Sequence, residues 1–187
     1  VMVIDDDTLS SSSRIATGMY NPVVFKRLVK SWMADELLSF ADTFYTDAEK
    51  FFSEKFYHKK NIVKFFTEEQ EIDLWRKKAG AEAGAYLFPE IKNNLFPEFL
   101  HDSLGYSEVI RSGHLDMQLF TALVKKYLQE KKIYINERFD HSLLKTSPNS
   151  IEYKNIKAKK IIFCEGCKTI ENPYFSWLPF KLTKVEL

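Results

Sequence analysis

The chain begins with a short apolar run, Val1 to Ile4, that is stopped at once by Asp5, Asp6 and Asp7. The run is continuous and mostly β-branched, which is typical of a strand buried on both faces, as in a parallel sheet. Buried central strands seldom stand at a chain end, where residues are usually frayed and exposed. The run therefore predicts a parallel sheet, and we expect further chain to precede Val1.

Helical and strand patterns alternate along the remainder of the sequence. Apolar residues at three- and four-residue steps predict a helix within 34–56, and a later helix should be capped by Asp116. A third helix should begin at Thr67, three residues before Gln70. Strands are predicted in NIVKFF, YSEVIRSGHL, KKIYINERF, SIEYK and KKIIFCEG. This alternation predicts the α/β class, with a mixed or antiparallel insertion at 57–112.

The charge balance excludes several classes of partner. The 27 Lys and Arg residues almost equal the 26 Asp and Glu residues, and no basic stripe is present, so no nucleic acid is expected. No stretch approaches the roughly 20 apolar residues that span a bilayer, so no membrane partner is expected either. We expect a cytoplasmic protein.

Cys164 and Cys167 form a single C-x-x-C pair, which suits either a redox dithiol or half of a zinc site. No second C-x-x-C is present, and the four histidines are scattered, so no metal site is predicted. An active dithiol usually opens a helix near a first strand, whereas this pair would close a late strand. The sequence favours two structural thiols at the end of a strand.

The opening strand also has a form that is known from dinucleotide-binding units. In such a unit the second strand, about 20 residues after the G-x-G-x-x-G loop, ends in an acid that binds ribose hydroxyls. VMVID fits that description, with Asp5 at the ribose position. Small residues follow at 10–22, where backbone N–H groups could approach phosphate or flavin oxygens. An ordinary turn rich in Ser and Gly would have the same composition.

Three segments carry a resemblance to one family. SSSSRIATGMYNP resembles the loop after the second strand in the D-amino-acid oxidase and glycine oxidase-like family of FAD-dependent oxidoreductases. SGHLDMQLFTALVKKYLQEKK followed by IYINERFD is similar to its G-x-[V/L]-D, helix, strand arrangement. AKKIIFCEG is similar to its late strand, with Cys164, Glu165 and Gly166 at the A-x-G positions. The likeness runs across nearly the whole chain in the family's order and is closest to bacterial members.

The chain also departs from the family pattern. It has no G-x-G-x-x-G strand and loop, and Val185 stands where the family often has Gly. The further strands and the closing flavin-contacting segment of a usual family chain are missing after Leu187. We therefore expect an internal fragment of a longer flavoprotein.

The resemblance implies a partial Rossmann-like FAD-binding domain at 1–56 and 113–187, with an α+β substrate-domain insertion at 57–112. It implies oxidation of an amine or amino acid by hydride transfer to FAD. No catalytic residue is predicted, because the flavin does the chemistry. Arg111 would bind a substrate carboxylate. The FAD-contacting residues would be Asp5, Ser12, Ser13, Arg14, Ala16, Gly18, Asn21, Phe139 and Gly166.

Two alternatives remain open beside this reading. The chain could belong to the flavin domain of a bifunctional tRNA-modifying enzyme, although its near-neutral charge argues against RNA contact. It could also be a non-enzymatic binding module or an inactive fragment. Without the phosphate loop, weak or no FAD binding is expected from this chain. The edge of the Val1–Ile4 strand is expected to favour association with another chain.

Overall fold

A computed structural model of the protein describes residues 1–6, 12–93, 98 and 103–181. Helices and strands are mixed along the chain, which confirms the general α/β class. The chain forms two compact units, one made of residues 1–15 with 124–187 and the other of residues 16–123. The predicted division at 57 and 112 stays a prediction, because compactness does not reveal which part holds a cofactor.

The described residues contain short strands and four helices. The helices are α1 (Ser12–Ile15), α2 (Ala34–Phe52), α3 (Glu69–Ala79) and α4 (Met117–Glu130). The strands are β1 (Val3–Asp5), β2 (Met19–Tyr20), β3 (Val23–Val24), β4 (Val29–Lys30), β5 (Tyr57–Lys59), β6 (Ile62–Phe66), β7 (Gly105–Val109), β8 (Gly113–Leu115), β9 (Tyr134–Asn136), β10 (Leu144–Ser147), β11 (Ser150–Tyr153) and β12 (Ile156–Ala158). Among these helices none is long and apolar enough to cross a membrane.

In the first unit, β1 pairs in parallel with β9, so that Val3 lies opposite Tyr134 and Asp5 opposite Asn136. Strands β10, β11 and β12 form an antiparallel sheet in that order. The Phe139 ring stacks on the Tyr153 ring, with their centroids 4.3 Å apart. Aromatic packing therefore supports this small sheet.

The second unit contains most of the buried apolar residues. Strand β8 lies between β2 and β5, and β6 pairs with β7, in both cases antiparallel. One core cluster surrounds Trp75 and Tyr86, and another surrounds Phe56. The Trp75 indole donates a hydrogen bond to the carbonyl of Phe88 over 2.8 Å, so this large side chain is buried without an unpaired polar atom.

Two helix predictions are confirmed, while the predicted cap of a third is wrong. Helix α2 lies within the predicted range, and the Asp116 carboxylate caps α4 by accepting the Leu119 amide at 2.9 Å. Helix α3 begins after Glu68 with no side-chain cap bond. Instead of the predicted Thr67 cap, the Glu71 carboxylate reaches back and accepts the Thr67 amide at 2.9 Å.

Three strand predictions need correction. Val3 and Ile4 are only half-buried, because β1 has a single partner, β9, within the described chain. The segment YSEVIRSGHL is broken into β7 and β8 by a turn in which Arg111 has a left-handed φ of 56°. Residues 159–165 of KKIIFCEG form no strand, and the chain instead pairs at β12 just before them.

Candidate functional site

The second unit has a polar cavity of about 330 Å³. Strand β2 and the middle of α2 form one side, and β5 with the turn between β7 and β8 forms the other. The pairing of β2 and β5 on either side of β8 brings these segments together. The lining residues are Tyr20, Leu38, Asp42, Lys59, Lys60, Asn61, Arg111 and Ser112.

Asp42 is held by two donors at the wall of this cavity. The Tyr57 hydroxyl donates to its carboxylate over 2.6 Å, and Lys59 Nζ lies 2.9 Å from the same oxygen. Burial raises the pKa of the Asp42 carboxyl, but the bonds from Tyr57 and Lys59 outweigh this and hold the pKa below its usual value. The carboxylate is therefore charged at neutral pH and fixes both donors.

The two tyrosines beside Asp42 remain protonated. The rings of Tyr20 and Tyr57 stack with centroids 5.3 Å apart. Burial, followed by the bond to Asp42, raises the pKa of Tyr57 far above its usual value. Burial also raises the pKa of Tyr20. Tyr20 lines the cavity with a neutral O–H group, whereas the O–H of Tyr57 is taken up by its bond to Asp42.

Arg111 reaches the cavity from a turn with an uncommon backbone. Its φ of 56° lies in the left-handed region, which a side chain with a Cβ adopts at a cost. The guanidinium lies over the Tyr86 ring, 5.5 Å from its centroid. Tyr86 in turn donates its hydroxyl to Asp35, which also pairs with Lys30 at 2.9 Å. These contacts fix the position of the Arg111 side chain on the side away from the cavity.

The charge around the cavity is not balanced. Lys59 pairs with Asp42, but within the described chain neither Lys60 nor Arg111 has a carboxylate within 4.0 Å. The residues that line the cavity therefore carry excess positive charge beside the neutral hydroxyl of Tyr20. An arginine fork with a nearby lysine suits a carboxylate or a similar small anion.

The predicted cofactor residues of the first unit are placed as follows. Asp5 ends β1, is exposed, and accepts the Tyr134 hydroxyl at 3.0 Å. Ser12 and Ser13 are exposed in α1. Arg14 lies in the same helix, and its side chain is outside the described part of the structure. At Gly166 φ is 57°, and an added Cβ would meet no atom within 4 Å, so its backbone is open to approach.

Phe139 lies in an aromatic cluster that sequence reasoning did not find. Its ring stacks on Tyr153 and makes edge contacts with His141 and Phe163. Nearby, His141 Nε2 lies 2.7 Å from Glu165 Oε1. The fully buried Asn172 donates to the other Glu165 oxygen over 2.6 Å. No spacing or motif in the sequence marks this network, because its members come from separate turns.

The position of the two cysteines corrects the prediction of structural thiols at a strand end. Cys164 and Cys167 are free and exposed. Cys164 lies in irregular chain, and Cys167 lies in the 3-10 turn Gly166–Glu171. Because both thiols are exposed and neither lies at the end of a strand, they do not pack against a strand end as predicted.

Three predicted cofactor residues belong to the second unit, and two of them flank a lining residue of the cavity. Gly18 has a φ of +69°, and a Cβ there would collide with the carbonyl of Leu115, so only glycine fits. The Asn21 side chain accepts the Val23 amide at 2.9 Å. Between them lies Tyr20, while Ala16 is half-buried just before.

The structure thus brings the predicted Arg111 into a cavity with partners that sequence analysis missed. Asp42, Tyr57 and Lys59 come from a helix and a strand far from Arg111 along the chain, and no motif marks them. No protein-family model matches the sequence. No solved structure matches it either.

Proposed function

We propose that the protein is an FAD-dependent oxidoreductase of the D-amino-acid oxidase and glycine oxidase-like family, acting on an amine or amino acid. Residues 1–56 and 113–187 would form part of a Rossmann-like FAD-binding domain. The observation that supports this most is the parallel pairing of β1 with β9, which leaves Asp5 exposed at the carboxyl end of β1. In doubly wound folds, nucleotides bind at the carboxyl ends of the strands.

Among the residues proposed to hold FAD, Asp5 would contribute a charged side chain and Gly166 an accessible backbone. The exposed Asp5 carboxylate would accept ribose hydroxyls. Gly166 leaves open space around its backbone, as a close approach to a cofactor requires. When bound, FAD would supply the hydride acceptor.

The polar cavity is the proposed substrate side of this function. Arg111 and Lys60 would bind the carboxylate of an amino acid, and the hydroxyl of Tyr20, which stays neutral because burial raises its pKa, would lie in the same cavity. Held in this way, the amino acid would be fixed in the cavity by its carboxylate. We assign no residue of this chain to proton transfer.

FAD binding is tested on the protein expressed from its full natural reading frame. This protein should purify with the absorption spectrum of a bound flavin. The Asp5→Ala variant should bind FAD about ten- to a hundredfold more weakly, since a hydrogen bond to a charged group is lost, while Asp73→Ala, an exposed acid of α3, should bind as wild type. A protein that carries no flavin and gives no response to added FAD would refute the proposal.

The substrate arm measures flavin reduction by a panel of amines and amino acids. Arg111→Met should raise KM for amino acids at least about tenfold and leave simple amines unaffected, because only the former carry a carboxylate. The control Arg76→Met removes an exposed arginine of α3 and should change neither. If amino acids and amines respond alike, the cavity is not the carboxylate site. If carboxylates bind this chain in the absence of any flavin enzyme activity, the alternative of a non-enzymatic module gains support.

A further inference from the structure

Two half-buried histidines of the second unit, His58 and His114, stack on each other. They are far apart in the sequence and meet because β5 pairs with β8. Their ring centroids are 4.6 Å apart, and the ring planes are 21° from parallel. Within the described part of the chain no hydrogen bond or ion pair engages either imidazole. The ring nitrogens are therefore used neither by the described fold nor by the polar cavity, which other residues line.

The strand register places a methionine beside this pair. His114 of β8 lies opposite His58 of β5 on one side and opposite Met19 of β2 on the other, and opposite residues project from the same face of a sheet. The Leu115 amide donates to the Gly18 carbonyl at 3.0 Å. Bonded and non-bonded pairs alternate along antiparallel strands, so the neighbouring Met19–His114 pair is of the non-bonded kind, with Cα atoms about 4.5 Å apart. The three residues form one row across the sheet, here called the ligand row.

The ligand row lies on the face of the sheet that is turned away from the core. Tyr57 precedes His58 and Leu115 follows His114, and both belong to the core cluster around Phe56. Successive side chains of a strand point to opposite faces. The row therefore faces away from that cluster. Met19 is 59% exposed, so its thioether is accessible from solvent.

The donor atoms of the row select the kind of ion. Imidazole nitrogens bind zinc and copper, whereas a thioether sulfur favours copper(I). Calcium and magnesium prefer oxygen ligands, which the row does not offer. Among the described residues no three His, Cys, Asp or Glu side chains are grouped so as to hold a metal ion, so the third donor beside the histidines is the sulfur of Met19. We propose that Met19, His58 and His114 bind one copper(I) ion.

Binding requires rotation of the two rings and no change in strand pairing. Two nitrogens that each lie about 2.0 Å from one ion are at most about 4 Å apart, and ring centroids 4.6 Å apart bring the ring edges near that span. A metal ion lies in the plane of each imidazole that binds it, so the stacked rings would turn about their Cβ–Cγ bonds, a torsion with broad minima in histidine. The ion would then join β5 to β8 through the histidines, and to β2 through Met19.

The first test is a copper(I) titration in competition with a chromophoric chelator such as bicinchoninate, under anaerobic conditions with ascorbate. It uses a Cys164→Ser and Cys167→Ser background, here called the thiol-free protein, because the two exposed thiols would bind copper(I) themselves. This protein should bind one equivalent. His58→Ala and His114→Ala should each weaken binding by more than about a hundredfold, since loss of even an outer-shell partner costs about 10- to 100-fold. Met19→Leu should weaken it at least about tenfold.

Matched controls keep this test specific to the row. Met33→Leu changes another exposed methionine, and His141→Gln changes a histidine of the first unit, so both should bind copper(I) like the thiol-free protein. A thiol-free protein that binds no copper(I), or that binds it equally well after the histidine substitutions, overturns the proposal. Because the metal alone is measured, the result does not depend on whether the protein binds flavin.

The second test identifies the ligands by X-ray absorption at the copper edge, and it needs no substitution in the row. The thiol-free protein with one equivalent of copper(I) should show two nitrogen ligands and one sulfur ligand. Met19→Leu should remove the sulfur ligand, whereas Met33→Leu should keep it. A copper site without sulfur, or zinc(II) bound as tightly as copper(I), would contradict the proposed ligand set and its preference for copper(I).

Discussion

At the scale of single residues, the buried carboxylate of Glu49 is the clearest case of a charge that stabilises the fold. Its side chain is only 6% exposed, accepts the amides of Phe56 and Tyr57, and pairs with Lys55 at 2.8 Å. Burial alone would raise the pKa of Glu49, yet the bonds from Lys55 and the two amides outweigh it and lower the pKa. This residue ties the end of α2 to the start of β5.

The lowered pKa predicts a pH dependence with a definite sign. Because the folded-state pKa lies below the ordinary value of 4.5, the carboxylate should stabilise the fold above that pH and lose its contribution as the pH falls further. Glu49→Gln should lower the free energy of unfolding by about 1–2 kcal/mol at pH 7. The deficit should shrink as the pH is lowered below about 4.5.

Urea titrations of dilute protein at several pH values would measure this difference. The control is Glu54→Gln, which changes an exposed acid just after the same helix and should alter stability by less than about 0.5 kcal/mol. A Glu49→Gln deficit that stays constant from neutral to acid pH would mean that the charge of Glu49 does not stabilise the fold.

At the scale of elements, periodicity located the helices but not the face by which each one packs. The apolar residues of α2 that recur at three- and four-residue steps include Leu37, Phe44 and Phe51, all of which are exposed, whereas Leu38 and Glu49 are buried. The helix has apolar residues on two faces, and a single sequence does not reveal which face meets its own core. The buried charge of Glu49 gave no signal, because its amide partners lie beyond the end of the helix.

Strand errors have a similar origin in contacts that are distant along the chain. Arg111 takes a left-handed φ without being a glycine, so nothing in YSEVIRSGHL marked the break between β7 and β8. The apolar run of KKIIFCEG resembles a strand, yet Phe163 packs against Phe139, Tyr174 and Phe175 in irregular chain. The cavity around Arg111 was equally hidden, because only tertiary pairing assembles it.

The start of α3 offers a prediction that separates two ways of capping a helix. Thr67→Ala should change stability by less than about 0.5 kcal/mol, because Thr67 contributes mainly its backbone amide. Glu71→Ala should cost about 1 kcal/mol or more, since it removes the acceptor of that amide and a 2.6 Å ion pair with Lys64. Urea unfolding would measure both, with Glu69→Ala in the same first turn as the control. If Thr67→Ala lowered the free energy of unfolding more than Glu71→Ala does, the side chain of Thr67 would be the cap of α3 after all.

At the scale of the whole molecule, the two units differ in how much core each one has. Within the described residues the first unit buries only Leu144 and Tyr153 among its apolar side chains, whereas the clusters around Trp75 and Phe56 belong to the second unit. The first unit also depends on the parallel pairing of β1 with β9, which joins residues that are far apart along the sequence, such as Val3 and Tyr134. Long-range pairing with little buried area gives low local stability.

Hydrogen exchange followed by mass spectrometry should resolve this difference in the intact chain. Amides of β6 and β7 should exchange slowest, because these strands pair over five residues on each side and pack around Trp75. Amides of β1 and β9 should exchange at least about 100-fold faster after correction for intrinsic rates, since local opening of the first unit need not disturb the second. The stretch 16–130, expressed alone, should keep the slow exchange of β6 and β7, because both core clusters lie inside it. Equal protection of β1 and β6, or loss of slow exchange in the shorter stretch, would instead show that the two units fold as one cooperative body.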